Sequence, residues 1–572
     1  GGVSTTGAAS GNTINLGAVN IGGNVTGGQG ITTTGNKVNV EGTTVAGSIT
    51  GGSAGSTDNV LTVKNANTAN SIAGFDKVSF DTDSATTSPM LTLSGGASTH
   101  VWGTLEATGT SAGPITLMHS NAVMTFTGYD GARSRIDGDD TTEYNIDTVS
   151  HTDTDRDVVS QSYRYRGQTT AVPTPSFDTA GVYGGISQVG NATRENESTV
   201  SNSSYTNAYG GYTHVPTTVG AGVVRSTETE SSHANKITIA GSANIGTVYG
   251  GYTDATAGKT WENTVNIEGG SAANVVGAKS AGNATRNTVN VTANYTGNVT
   301  GGISTAGIAE ENTVNLDHVT VTGDVTGGQG ATLANKNVVN MDNAAVTGTV
   351  KAAATIGAGN TLTVKGTNRA GNIAGVQRVS FNVSGASSAN TLLTLTDGAV
   401  TDLDWSAVET KGSSTNKINL LTHTNANNDK LLHIEHYNGV KTGRDTDDTT
   451  EFNIDTDTHE AEAQHVVSES YRYRGQTERV EMDGNVYGGI SKVGNATREN
   501  TIDVSSGGYT DAFGGYTDVP PIIGSDNAKS KEKGNSHDNT ITISGASVSG
   551  TVYGGYTKAA SGTAKENTVN VT

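Results

Sequence analysis

The chain has 572 residues, of which only 33% are hydrophobic, with 78 Gly, 7 Pro and no Cys. So thin a supply of apolar residues argues against a set of ordinary domains with deep cores, and the lack of Cys excludes a disulfide framework and any thiolate metal site. The net charge of −20 is spread along the chain rather than gathered in a tail, so no nucleic-acid partner is expected.

No stretch approaches the ~20 apolar residues that span a bilayer, so membrane insertion by this segment is not expected. The opening Gly1-Gly2-Val3-Ser4 lacks the charged and apolar regions of a signal peptide, and any export signal or anchor is expected outside these residues.

From the start of the chain, Val and Ile alternate with Thr, Asn and Ser, the pattern of strands that bury one face. An Asn-x-apolar-x-apolar unit begins at Asn12, Asn36 and Asn59, and again at Asn235, Asn263, Asn287, Asn312, Asn337 and Asn360, in steps of 23 to 28 residues within each run. A second unit, apolar-x-Gly-Gly, keeps the same beat at Val25, Val248, Val299 and Val325. Helical repeats of this length need ten or more residues of 3.6 periodicity. The segment Asn287 to Ser304 instead holds two short Val/Thr runs broken by Gly and Asn.

The predicted fold is therefore all-β: a parallel β-helix (β-solenoid) with coils of about 25 residues, each of two or three short strands that pair in parallel with the next coil. Inward residues such as Ile14, Val38, Val289 and Val314 superpose into a thin core that no coil forms alone. About 20 coils at roughly 4.8 Å would stack to a length on the order of 100 Å. The recurring Asn reads as a stacked turn ladder, since Asn tolerates positive φ and its amide bonds to the amides above and below. The Gly pair reads as a sharp corner.

A longer period of about 300 residues contains the short one. GGVSTTGAASGNTINL at Gly1 returns as GGISTAGIAEENTVNL at Gly301, YRYRGQT at Tyr163 returns at Tyr471, and VYGGISxVGNATREN at Val182 returns at Val486. This gives a first copy over 1–300 with a loop-rich part at 129–235, and a second, incomplete copy over 301–572 with a loop-rich part at 437–539, in one continuous solenoid. Residue 572 matches residue 268, so the chain is expected to be a window on a longer array or a unit that joins end to end with others.

The beat lengthens between Tyr129 and Val182 and between Tyr437 and Val486, where charge and aromatics rise and loops or longer strands are expected to project. Here Asp137, Asp139, Asp140 and Glu143 are matched by Asp445, Asp447, Asp448 and Glu451. Alternating carboxylates in a loop supply the oxygens that calcium prefers, so calcium is the one cofactor considered, against a solvated acidic loop. The second candidate is Tyr163-Arg164-Tyr165-Arg166, matched by Tyr471-Arg472-Tyr473-Arg474. Strand alternation would set the Tyr pair on one face and the Arg pair on the other, either for contact with a ligand or for packing in which the Arg answer the Asp cluster.

The chain resembles the passenger region of bacterial autotransporter adhesins, in which V-Y-G-G-Y-[ST] alternates with E-N-T-V-N-[IV] along a parallel β-helix. The matching segments are Val248 to Thr253 with Glu262 to Ile267, and Val552 to Thr557 with Glu566 to Val571. The resemblance implies export from a Gram-negative cell, folding outside it and display as a stalk on the cell surface. No run of amphipathic strands with the aromatic girdle of a translocator barrel is present.

The expected function is an extracellular adhesin or stalk whose partners are a host or bacterial surface glycan or protein, or further copies of itself end to end or side by side. The alternative is a subunit of an extracellular fibre. A polysaccharide-acting enzyme comes last, since nearly every feature occurs twice, the 12 His are scattered and no glycine-rich loop leads into a helix.

Overall fold

A computed structural model describes residues 1–572 except 54–55, 86–88, 110–113, 173–179, 217–219, 221, 356, 388–389, 413–416, 424, 426, 521–523 and 525–529. It is a β-solenoid, 58% strand and 1% helix, with stacked parallel coils about 26 residues apart and about 20 turns. Contacts divide the chain into two compact units. The first comprises Gly1–Val289, Gly301–Asn312 and Gly330–Thr332, and the second Asn290–Thr300, Thr313–Gln329 and Leu333–Thr572.

In the first unit, the strands Thr13–Gly17, Lys37–Glu41, Val60–Lys64, Lys77–Asp81 and Leu105–Thr108 form one parallel sheet. Its register aligns Ile14, Val38, Leu61, Val78 and Leu105 in an inward column. In the second unit, Val314, Val339, Leu362, Val379 and Val408 form the same kind of column. These side chains are buried apart from the partly exposed Ile14. The apolar surface of each coil is covered by its neighbours, which is how a chain so poor in apolar residues still forms a core.

The Asn ladder is present and buried. In the first unit Asn196 donates through Nδ2 to Oδ1 of Asn235 (2.7 Å), and Asn235, Asn263 and Asn287 each donate to the next at 2.9–3.0 Å, ending on Asn312. In the second, Asn337 donates to Asn360 at 3.1 Å, and Asn500 to Asn539 and Asn539 to Asn567 at 2.7 and 2.9 Å.

The conformational reason differs from the expected one. Positive φ falls on the residue before each ladder Asn, as at Glu195, Ala234, Glu262, Arg286, Lys336, Glu499 and Asp538, and not on the Asn itself. The Asn is retained for its amide, which satisfies buried donors and acceptors that no water reaches.

The Gly pairs make corners in only some coils. Gly27 and Gly301 lie at bends between short strands, whereas the pairs after Val248 and Val325 lie inside the strands Asn244–Thr253 and Val325–Gly330. A Cβ on Gly251 would come within 2.5 Å of the Asn263 side chain, and one on Gly250 within 2.3 Å of the Gly277 carbonyl. The pair is glycine because the ladder amide and the next coil press against it.

Of the loops or longer strands expected at the interruptions of the beat, longer strands are what form, paired as antiparallel meanders. In the first unit Ile115–Thr127 pairs antiparallel with Thr154–Arg164, which pairs with Thr142–Thr148, which pairs with Arg133–Ile136. The second unit repeats this with Ile418–His423, His465–Arg472, Thr450–Thr456 and Lys441–Arg444. Among the described residues no helix is long and apolar enough to cross a membrane.

Candidate functional site

The two sequence candidates meet at one place in each unit. In the first unit the strand Leu105–Thr108 ends its parallel sheet, and its free carbonyl edge is covered by cations of the meander. Arg135 donates to the carbonyls of Ala107 (3.1 Å) and Gly109 (2.8 Å), and Arg133 to those of Trp102 (3.1 Å) and Leu105. In the second unit Lys441 donates to the carbonyls of Val408 (2.8 Å) and Trp405. Guanidinium and ammonium groups here take the place of the next strand's amides.

The far end of the meander starts the next stack. Gln168 N–H donates to Asn196 Oδ1 (3.0 Å), as a ladder Asn would, and Asn196 Nδ2 donates to the Tyr165 carbonyl (2.9 Å). Gln476 and Tyr473 do the same for Asn500, at 2.9 and 3.1 Å. YRYRGQT thus serves as a substitute coil on which the ladder begins.

Asp140 joins the two motifs. Its carboxylate accepts from the hydroxyls of Tyr165 (2.7 Å) and Ser226 (2.9 Å) and from Arg194 Nη2 (2.7 Å), with Arg166 Nη1 at 3.9 Å. Burial alone would raise this carboxyl, but these donors hold it below the usual range. Asp448 repeats the set with Tyr473 and Ser530 at 2.8 Å and Arg498 at 3.1 Å, adding Arg444 at 3.2 Å.

Glu143 is fully buried in a cage of donors: Ser187 Oγ and Gln188 N–H at 2.6 Å, Asn145 and Asn191 Nδ2 at 2.8 Å. Glu451 is caged likewise by Ser491 and Lys492 N–H at 2.7 Å and by Asn453 and Asn495 at 2.9 Å. Burial pushes both carboxyls up, and the four donors pull against it.

The remaining candidates divide by role. Asp137 clamps its own turn by accepting from the amides of Thr141 (2.7 Å) and Thr142 (3.2 Å), and Asp445 does so from Thr449 (2.7 Å) and Thr450 (3.1 Å). Asp139 and Asp447 are exposed. Tyr163 packs against the aromatic cluster of Tyr183 and Tyr209, and Tyr471 against that of Tyr487 and Phe513. Arg164 and Arg472 are exposed, while Arg166 and Arg474 pair with Glu195 (2.9 Å) and Glu499 (2.8 Å). Tyr165 and Tyr473 are completely buried.

The carboxylates proposed for calcium therefore face different directions and are largely occupied by the protein's own donors. Among the described residues no group of three His, Asp or Glu forms that could hold a metal ion. The geometry does not fit the calcium expectation.

Sequence reasoning missed the second half of this joint: Ser187, Asn191, Arg194 and Ser226, with Ser491, Asn495, Arg498 and Ser530. The first three of each set lie in the GGISxVGNATREN segment, whose near-verbatim return after each YRYRGQT was the available signal. It also missed the stacked aromatic columns. Tyr183, Tyr209 and Tyr249 lie face to face at 5.1 and 5.3 Å, and Tyr487, Phe513 and Tyr553 at 5.1 Å.

A groove of about 1200 Å³ opens beside the second joint, between its meander and the flank of the following coils, with Tyr471, Arg472, Arg479, Lys492 and Asp518 among its lining. The joints themselves are structural: they end one parallel sheet and begin the next Asn ladder. Comparison with family models, curated proteins and solved structures finds no match.

Proposed function

We propose that this chain is part of an extracellular bacterial adhesin, a stalk of tandem β-solenoid repeats whose meander faces meet a host or bacterial surface. The observation that carries this reading is a contrast between the two copies. Their interior joints keep the same residues, Asp140/Asp448, Glu143/Glu451, Tyr165/Tyr473 and Arg194/Arg498, while neighbouring partly exposed positions differ, as at Gln161/Glu469 and His214/Asp518. A constant scaffold with changing outer side chains suits display better than chemistry, which needs one singular constellation. The likeness to autotransporter passengers supports a Gram-negative cell surface as its setting.

The test is to display the chain on a non-adherent bacterial cell. Retention on glycan- and protein-coated surfaces and cell–cell aggregation are then measured. Retention above that of undecorated cells is expected; equal retention on every surface would overturn the reading. End-to-end polymerisation of the purified chain without adhesion would favour a structural fibre instead.

A further inference from the structure

We propose that the groove beside the second joint docks an extended, positively charged polypeptide segment. This rests on the adhesive reading above and gives it a site and a partner chemistry.

The groove, at about 1200 Å³, exceeds the usual span of small-molecule sites, roughly 300–1000 Å³. Its apolar lining includes Val440, Phe452, Val467, Val480, Met482 and Ile490. Eight carboxylates line it against four cations. Three of those cations are already matched from within: Lys417 to Glu469 (3.2 Å), Arg479 to Glu481 (3.0 Å) and Lys492 to Asp518 (3.7 Å). The fourth, Arg472, is exposed. Other carboxylates serve the fold: Asp455 holds His459 (2.6 Å) and the Tyr437 hydroxyl (2.6 Å), and Asp457 accepts from the amides of Gln464 (3.2 Å) and His465 (3.1 Å). Glu478 and Asp483 are exposed and add to the net negative charge of the lining.

These two residues flank the strand Val480–Met482, which lies at the edge of its sheet. Its register pairs Val480 with Tyr487 and Met482 with Asn485. Val486, opposite Glu481, turns its N–H to the Asp511 carbonyl on the far side. Glu481 therefore directs its own N–H and C=O away from the hairpin, towards the open edge. An extended backbone can add there, with its apolar side chains over the lining and its Lys or Arg against Glu478 and Asp483.

The equivalent positions of the first copy lack much of this charge. Gln161 stands for Glu469, Val149 for Asp457, His214 for Asp518 and Gln188 for Lys492. None of these four side chains bonds to the Asp140/Asp448 or Glu143/Glu451 carboxylates, so at these positions the extra charge belongs to the second copy.

The test uses the full chain and fluorescein-labelled peptides that alternate Val with Lys, Glu or Thr, read by anisotropy at about 0.05 and 0.5 M salt. The Lys peptide is expected to saturate one site, to weaken at high salt and to outbind the Thr and Glu peptides. The double variant Glu478→Gln/Asp483→Asn should weaken it about tenfold, the size of two lost charge contacts. The equally charge-neutralising Asp402→Asn/Glu435→Gln pair, away from the groove, should leave it within about twofold. Equal weakening by both pairs, equal affinity for the Thr peptide, or a neutral oligosaccharide displacing the Lys peptide would each overturn the proposal. Cell attachment that persists in Glu478→Gln/Asp483→Asn while peptide binding is lost would remove the groove as the adhesive site and leave the adhesin reading standing.

Discussion

The Tyr165 hydroxyl donates to Asp140 at 2.7 Å, and Tyr473 makes the same contact to Asp448 at 2.8 Å. The relationship ties a motif at the end of the meander to one at its first turn. Replacing Tyr165 by Phe keeps the ring and removes one charge-assisted hydrogen bond at a buried position, which should cost about 2 kcal/mol. Asp140→Ala also strips Arg194 and Ser226 of their acceptor and should cost more, roughly 3–5 kcal/mol. Urea unfolding of both variants orders them; equal midpoints would show that the carboxylate does not organise the joint.

Acid should loosen the joints. Asp137, Asp140, Asp445 and Asp448 are each held below the usual carboxylate range by hydroxyl, amide or guanidinium donors that outweigh burial. A depressed carboxyl contributes stability that is present above its unfolded value, near 3.9, and is lost as the pH falls through its folded value. Thermal melts from neutral pH downwards should fall below about pH 4, and Asp140→Asn/Asp448→Asn should flatten that limb while lowering the plateau. An unchanged acid limb in the double variant would place the effect elsewhere.

Gly251→Ala should destabilise by about 1–3 kcal/mol or more, because the added methyl meets the Asn263 amide where the core has no slack. Gly22→Ala is the matched control, since nothing lies within 4 Å of its added Cβ. Chemical denaturation should separate the two clearly; similar losses would mean that the ladder yields to the methyl.

Ala234→Gly should act in the opposite direction. Ala234 is exposed and holds φ at +51°, a conformation that disfavours a Cβ. Relief of that strain exceeds the entropy that Gly adds to the unfolded chain, so a gain of roughly 0.5–1 kcal/mol is expected in the unfolding midpoint.

The coil was legible because its determinants are local and repeated. Alternating Val, the Asn beat and the Gly pairs recur often enough to fix strand length, inward face and stacking. The physical role of each was less legible. Asn196 and Glu195 are neighbours in sequence, and only the backbone shows that the Glu takes the left-handed turn while the Asn takes the hydrogen bonds. The joints were legible as interruptions, yet their chemistry was not. Asp140 and Ser226 lie 86 positions apart, and nothing local in either tells of the other. The groove was invisible for the same reason, since Glu478 and Asp518 become neighbours only when the meander folds against the flank.

The Asn-to-Asn bonds of the ladder all run one way: each Asn donates its backbone N–H and one Nδ2–H to the Asn of the coil that follows, while Nδ2 also donates back to a carbonyl of the coil before. A directional relay of this kind has the same vacancy at its advancing face however many coils precede it. Adding or deleting a coil therefore leaves the local chemistry of the remaining ones unaltered, and length becomes a free variable.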